Sequence, residues 1–128
     1  MPDRSYILRE STVAFSKNVI EFCKQEKLTA VNRPIIDQLL RSATSIGANY
    51  AEADNAGSRT DFRNKIFIAK KEAAETKYWL NLMLDLTANP VACQRLLTDC
   101  HHILMTLQKV VNTLANRSQS AAKHTANR

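Results

Sequence analysis

The segment RSATSIGANYAEA, residues 41–53, combines a helical apolar period with residues that form helices poorly. Its serine, threonine, asparagine and glycine residues are weak helix formers, and a glycine costs about 1 kcal/mol relative to alanine inside a helix. A helix that only faced solvent would gain nothing from these residues, whereas small side chains let a second backbone approach closely. We therefore expect another helix to pack tightly against this segment.

Composition favours an all-α fold. The chain has 128 residues, enough for one domain and one core, and it holds two glycines and three prolines, too few turn residues for a β-rich fold. No apolar run approaches the roughly 20 residues of a membrane span, and the N-terminus has no signal-peptide core. Cys23, Cys93 and Cys100 fall inside helical patterns and are expected to be reduced core thiols. A cytoplasmic protein without membrane contact is predicted.

Start and stop signals divide the chain into four helices. They are predicted over residues 10–26, 33–55, 59–87 and from 90 onwards. Asn32 and Asn89 are expected N-caps, Ser58 with Asp61 resembles a capping box, and Gly57 is an expected helix stop. Because the connections are short, neighbouring helices must run antiparallel. The prediction is an up-down-up-down antiparallel four-helix bundle over residues 1–116.

The net charge of +6 is unevenly distributed. Residues 117–128 carry three basic side chains and no acid, whereas the other 116 residues hold 15 basic and 12 acidic side chains, an ordinary balance. The tail has no apolar period and is predicted to be a disordered basic segment that binds anions weakly. Net charge alone is therefore weak support for a nucleic-acid partner.

The third helix carries two apolar stripes. The first is Phe62, Ile66, Ala69, Ala73, Thr76, Leu80 and Met83. The second is Ile68, Glu72, Glu75, Trp79, Leu82 and Leu86. At 100° per residue the stripes are centred roughly 130° apart, more than one small bundle can bury. Either the helix packs unusually centrally or, as we expect, Ile68, Trp79, Leu82 and Leu86 form a subunit interface.

A polar contact between the second and third helices follows from antiparallel pairing. Residues at equal height about a turn near residue 57 have numbers that sum to about 114. Arg41 then lies level with Ala73, within reach of Glu72 or Glu75. We expect a partly buried, bidentate ion pair that fixes the helix register, with Asn49 and Glu52 completing the polar contacts.

The third helix also carries a basic stripe. Arg63, Lys70 and Lys77 recur every seven residues, with Lys71 beside them. Such a stripe could bind the phosphates of RNA or DNA, or it could be a solvated helix face. With no aromatic platform beside the lysines, binding is expected to follow the nucleic-acid backbone with little sequence preference.

Other chemistry finds little support in the sequence. Asp99-Cys100-His101-His102 is the nearest approach to a metal motif, and it has no second copy. Ferritin-like bundles use paired Glu-x-x-His motifs, which are absent from this sequence, as is a glycine-rich phosphate loop. We expect no catalytic residues, no metal and no cofactor.

Two motifs carry a resemblance to a known family. They are QLLRSATSIGAN with Glu52-Ala53, and Asp61-Phe62 with Lys65 and AKKEAAETKYWL, together spanning roughly residues 38–86. This region resembles the bacterial four-helix-bundle family first met as products of intervening sequences in 23S ribosomal RNA genes. The resemblance implies a cyclic homo-oligomer, since members are known as pentamers, and it implies no established enzymatic activity. A relative in diversity-generating retroelements assists a reverse transcriptase and is thought to contact nucleic acid.

The expected function is that of a non-enzymatic, homo-oligomeric binding module with RNA or DNA as its partner. The alternative is an adaptor that recruits another protein and has no affinity for nucleic acid. The two differ in the salt dependence of binding and in the apolar surface left after assembly.

Overall fold

The computed structural model describes residues 4–126, with side chains over residues 7–119. Its helices are α1 (Arg4–Lys24), α2 (Asn32–Asp54), α3 (Arg59–Leu84) and α4 (Pro90–Ala126). No strand occurs between residues 4 and 126, which confirms the all-α prediction.

The four helices pack around one core. In the described chain each helix contacts two others (α1 with α2, α2 with α3, α3 with α4, and α4 with α1), and the diagonal pairs make no backbone contact. Lys65 near the start of α3 pairs with Glu52 near the end of α2, and Arg63 bonds to Ser118 far along α4, as antiparallel neighbours require. This is the bundle that the short connections predicted.

The N-termini of α3 and α4 are capped as predicted. The Ser58 hydroxyl accepts a hydrogen bond from the Asp61 backbone N–H at 3.0 Å. Asn89 Oδ1 accepts one from the Ala92 backbone N–H at 3.3 Å. Each cap satisfies a donor that the first turn of a helix leaves unpaired.

The N-cap prediction for Asn32 was wrong. Val31 occupies the cap position and makes no side-chain cap bond, while Asn32 is the first residue of α2. The buried Asn32 amide accepts from the Thr29 backbone N–H at 2.7 Å and donates to the Lys27 carbonyl at 2.9 Å. Its side chain therefore stabilises the α1–α2 connection, because those nearby backbone groups lack helical partners.

Helix ends differ from the predicted bounds by a few residues. Helix α1 begins at Arg4, earlier than expected, and α3 ends at Leu84, with the Thr87 N–H still bonded to the Met83 carbonyl at 2.8 Å. Helix α2 ends near the expected point, but Gly57 has no positive φ and does not act as a left-handed cap.

Helix α4 continues to Ala126, past the predicted bundle limit at residue 116. The predicted domain boundary at residue 116 and the predicted disorder beyond it stay predictions. The side chain of Lys123 and the whole of Arg128 lie outside the described residues, so the predicted weak anion contacts of the tail stay a prediction.

The small residues of α2 permit the close packing that their sequence predicted. A Cβ placed on Gly47 would lie 3.3 Å from both Cβ and Oγ1 of Thr12 on α1. On the α3 side, the fully buried Ser42 hydroxyl lies 2.9 Å from the Thr76 hydroxyl. Two neighbouring helices therefore approach α2 closely, at different points of its circumference.

Candidate functional site

The structure brings Arg41, Glu72 and Glu75 together. Arg41 Nη1 lies 3.2 Å from Glu72 Oε2, Nη2 contacts Glu75 Oε2, and Nε donates to Gln38 Oε1 at 3.1 Å. One guanidinium thus bridges two carboxylates, in place of the expected bidentate pair with one. The Arg41 side chain is 46% exposed, so solvent screens the pair and its contribution to stability is small.

A second ion pair joins the same two helices nearer the turn. Lys65 Nζ lies 2.6 Å from Glu52 Oε2, and this hydrogen bond raises the pKa of Lys65. Asn49 was expected to reach across to α3, but its amide donates to the Ser45 carbonyl within α2 at 2.8 Å. The two ion pairs lie at different heights and so favour one helix register.

Arg63 and Lys77 both turn toward α4. Arg63 Nη2 donates to Ser118 Oγ at 3.1 Å, and Lys77 Nζ lies 3.2 Å from His101 Nδ1. Lys70 falls between them on the same side of the helix because seven residues complete almost two turns. The three cations therefore line the α3–α4 groove, and exposed Lys71 lies further toward the outer surface.

Carboxylates are largely kept out of this groove. Glu72 and Glu75 face α2, where Arg41 binds them. The single acid of α4, Asp99, lines a groove with Asn18 of α1. The charges of α3 are consequently largely sorted: Glu72 and Glu75 are bound on the α2 side, where Lys65 is itself paired with Glu52, and Arg63 and Lys77 point toward α4.

Apolar residues share one side of α3 with Glu72 and Glu75. Ile68 is 39% exposed and Leu86 is 45% exposed, while Trp79 and Leu82 are half-buried. The buried Trp79 Nε1 has no hydrogen-bond partner in the described chain. Of the four residues predicted as a subunit interface, Ile68, Trp79 and Leu82 fall on one side of α3, where Trp79 also packs against the core. Leu86 lies beyond the end of α3 and lines a cavity with Phe22 of α1.

Aromatic rings also lie close to the basic stripe, contrary to the prediction. Phe67 and Tyr78 are exposed, and their positions four residues before and seven after Lys71 place them on the same side of α3. The two rings are 11 residues apart, about three helical turns, so they do not share the seven-residue period of Arg63, Lys70 and Lys77.

The three cysteines are core residues, as their helical positions predicted. Burial raises the pKa of Cys23 to about 12, of Cys93 to about 11 and of Cys100 to about 12. Cys93 Sγ donates to the Leu80 carbonyl and Cys100 Sγ to the Ala73 carbonyl. They are therefore protonated thiols in helix contacts at neutral pH. Over the described residues, no group of three or more His, Cys, Asp or Glu side chains could hold a metal ion.

Two features were not predicted from the sequence. One is the hydroxyl contact between Ser42 and Thr76. The helical period predicts that both positions are buried, but it does not predict that their hydroxyls meet. The other is a cavity that groups Arg59 with Arg117. Ser118 continues the spacing of the α4 seam four residues after Leu114, a signal that the helix extends into the predicted tail.

None of the described helices is long and apolar enough to cross a membrane.

Fold and surface together define a small all-α bundle protein with an apolar outer face and a basic groove. The family model for the 23S rRNA-intervening sequence protein matches residues 4–109, and the chain belongs to this family. It is also similar to a crystal structure from Bacteroides thetaiotaomicron, a protein of unknown function from the S23 ribosomal protein family. That match has 30% identity and a TM-score of 0.73, and covers 86% of this chain and 99% of the other. No curated protein matches.

Proposed function

We propose that this protein is a cytoplasmic, non-enzymatic, homo-oligomeric binding module that associates with RNA or DNA through phosphate contacts. The observation that carries the proposal is the sorting of charge on α3. Arg63, Lys70 and Lys77 line the α3–α4 groove, and the neighbouring acids are bound on the opposite side. Cations without competing carboxylates attract a polyanion and release its counterions on binding.

The exposed rings beside this groove broaden the range of ligands. Phe67 and Tyr78 offer faces on which unpaired bases can stack, which duplex DNA does not provide. Structured RNA with single-stranded loops is therefore expected to bind more tightly than duplex DNA, while phosphate contacts still dominate the affinity.

The test is fluorescence anisotropy of labelled structured RNA and duplex DNA across a salt series. We expect micromolar binding that weakens steeply with salt. A variant with Arg63→Gln, Lys70→Gln and Lys77→Gln should lower the log–log salt slope by about 3, one for each phosphate that the variant no longer neutralises.

The matched control is Lys17→Gln, Lys27→Gln and Arg33→Gln, which removes the same charge from exposed positions outside the groove. Equal losses in the two variants, or no binding by the parent at low salt, would contradict the proposal.

Homo-oligomerisation, with the pentamer that the family resemblance suggests, is part of the same proposal. Its support is the set of apolar residues Ile68, Trp79, Leu82 and Leu86, of which the bundle leaves Ile68 and Leu86 exposed and the other two half-buried. A monomer gains nothing from keeping such a surface in water.

The second candidate function is a protein adaptor. Val13 and Ile20 of α1 are exposed and seven residues apart, so they form a second apolar surface away from α3. If this surface recruits a protein, it should stay accessible after assembly, and the anisotropy experiment should show no nucleic-acid binding at any salt concentration.

A further inference from the structure

A cavity of about 630 Å³ opens at the end of the bundle where α2 connects to α3. Three arginines line it: Arg59 and Arg63 from the first turns of α3, and Arg117 from α4. Phe62 and Leu114 contribute apolar wall. The volume lies within the range of about 300–1,000 Å³ typical of small-ligand sites.

The charge of this cavity is unbalanced. Its lining contains no carboxylate, and within residues 7–119 none of the three arginines forms an ion pair. Among the side chains that the structure describes, Arg63 donates only to a neutral hydroxyl, Ser118 Oγ, at 3.1 Å. Like charges around a cavity repel one another, so an anion placed between them would be stabilised by all three.

The guanidinium group selects among anions. Its planar fork of N–H donors matches two oxygens of a phosphate, with charge-assisted hydrogen bonds. The positive end of the α3 dipole adds to this field without being its main source. The half-buried Phe62 and Leu114 give the ligand's organic part an apolar contact, which inorganic phosphate could not use.

We propose that this cavity binds the phosphate of a nucleotide, either free or at the 5′ end of an RNA strand. The strand-end case rests on the proposed function, because it needs RNA to be bound at all. The free-nucleotide case does not. Arg59 and Arg117 would bind the phosphate, and Phe62 with Leu114 would contact the sugar or base.

The experiment compares a short labelled RNA carrying a 5′-phosphate with the same RNA carrying a 5′-hydroxyl. Binding of uridine and adenosine 5′-monophosphates is measured in parallel by calorimetry. We expect the phosphorylated RNA to bind more tightly. A double variant, Arg59→Gln with Arg117→Gln, should lose about tenfold in affinity for the 5′-phosphate form and little for the 5′-hydroxyl form.

Both substituted arginines are exposed, so the fold should survive, and circular dichroism checks this. The matched control is Lys17→Gln with Lys27→Gln, which removes equal charge elsewhere. Loss of RNA binding in a Lys70→Gln, Lys77→Gln variant that still binds the nucleotides would assign separate roles to groove and cavity, because neither lysine lines the cavity.

The inference is overturned if the two RNAs bind equally and neither nucleotide binds, or if the double variant retains every affinity. Should RNA fail to bind the parent at all, arginine-dependent nucleotide binding would still support the cavity, and its absence would reject it.

Discussion

Close packing against α1 restricts the identity of Gly47. Thr12, buried on α1, donates its hydroxyl to the Leu8 carbonyl at 2.7 Å and so has little freedom to move. Alanine at position 47 would gain helix propensity but place Cβ at 3.3 Å from two Thr12 atoms. The helix therefore tolerates a poor helix former because a second helix lies against it.

Three substitutions at the two glycines separate packing from chain entropy. Gly47→Ala should raise the free energy of unfolding by less than the about 1 kcal/mol that helix propensity alone would give. Gly47→Val should lower it by about 1–3 kcal/mol through overpacking. Gly57 is the control, because a Cβ placed there would have nothing within 4 Å and its φ is not positive. Gly57→Ala should raise the free energy of unfolding by about 0.4–1 kcal/mol. Urea unfolding followed by circular dichroism measures all three, and a full propensity gain at Gly47 would contradict the packing argument.

At the level of helices, Arg41 joins α2 to α3 at one height. Replacing it with methionine keeps much of the apolar stem but leaves Glu72 and Glu75 without their cation. We expect Arg41→Met to lower the free energy of unfolding by about 1 kcal/mol at low salt, and by less at high salt. Lys24→Met, which breaks only an exposed pair with Glu21 within α1, should change it by less than about 0.5 kcal/mol. Equal effects at both sites would show that Arg41 does not couple the helices.

The sequence predicted contacts that depend on local signals or on simple register. Ser58 and Asn89 cap their helices because a cap needs only residues three positions apart. Arg41 meets Glu72 and Glu75 because antiparallel pairing fixes which numbers lie level. The Arg59–Arg117 cavity could not be predicted this way, because it depends on how far α4 continues past the last apolar residue of its seam.

On the scale of the whole molecule, α3 divides its circumference among three environments. One side is core, and a second carries Arg63 and Lys77 toward α4. The apolar side, which carries the exposed Ile68, also bears Glu72 and Glu75, the two acids that bind Arg41 of α2. Covering the apolar side with another copy of the chain would leave the cationic groove at the surface. Assembly would then repeat that groove around the oligomer and strengthen binding to a long polyanion through multivalency.

This arrangement links oligomer mass to nucleic-acid affinity. Light scattering after size exclusion should give a multiple of the 14.4 kDa chain mass for the parent, five times that mass for the proposed pentamer. Ile68→Glu with Leu86→Glu should yield monomers, because charges at an apolar contact are costly to desolvate. Val91→Glu with Met105→Glu adds the same charge at exposed positions of α4 and should leave the oligomer intact.

If RNA binding depends on several copies of the groove in one oligomer, the monomeric variant must bind structured RNA more weakly than this control, even though Arg63, Lys70 and Lys77 are unchanged in both. Equal affinity would mean that each bundle binds RNA on its own, and an unchanged mass in the Ile68 and Leu86 variant would place the subunit interface elsewhere.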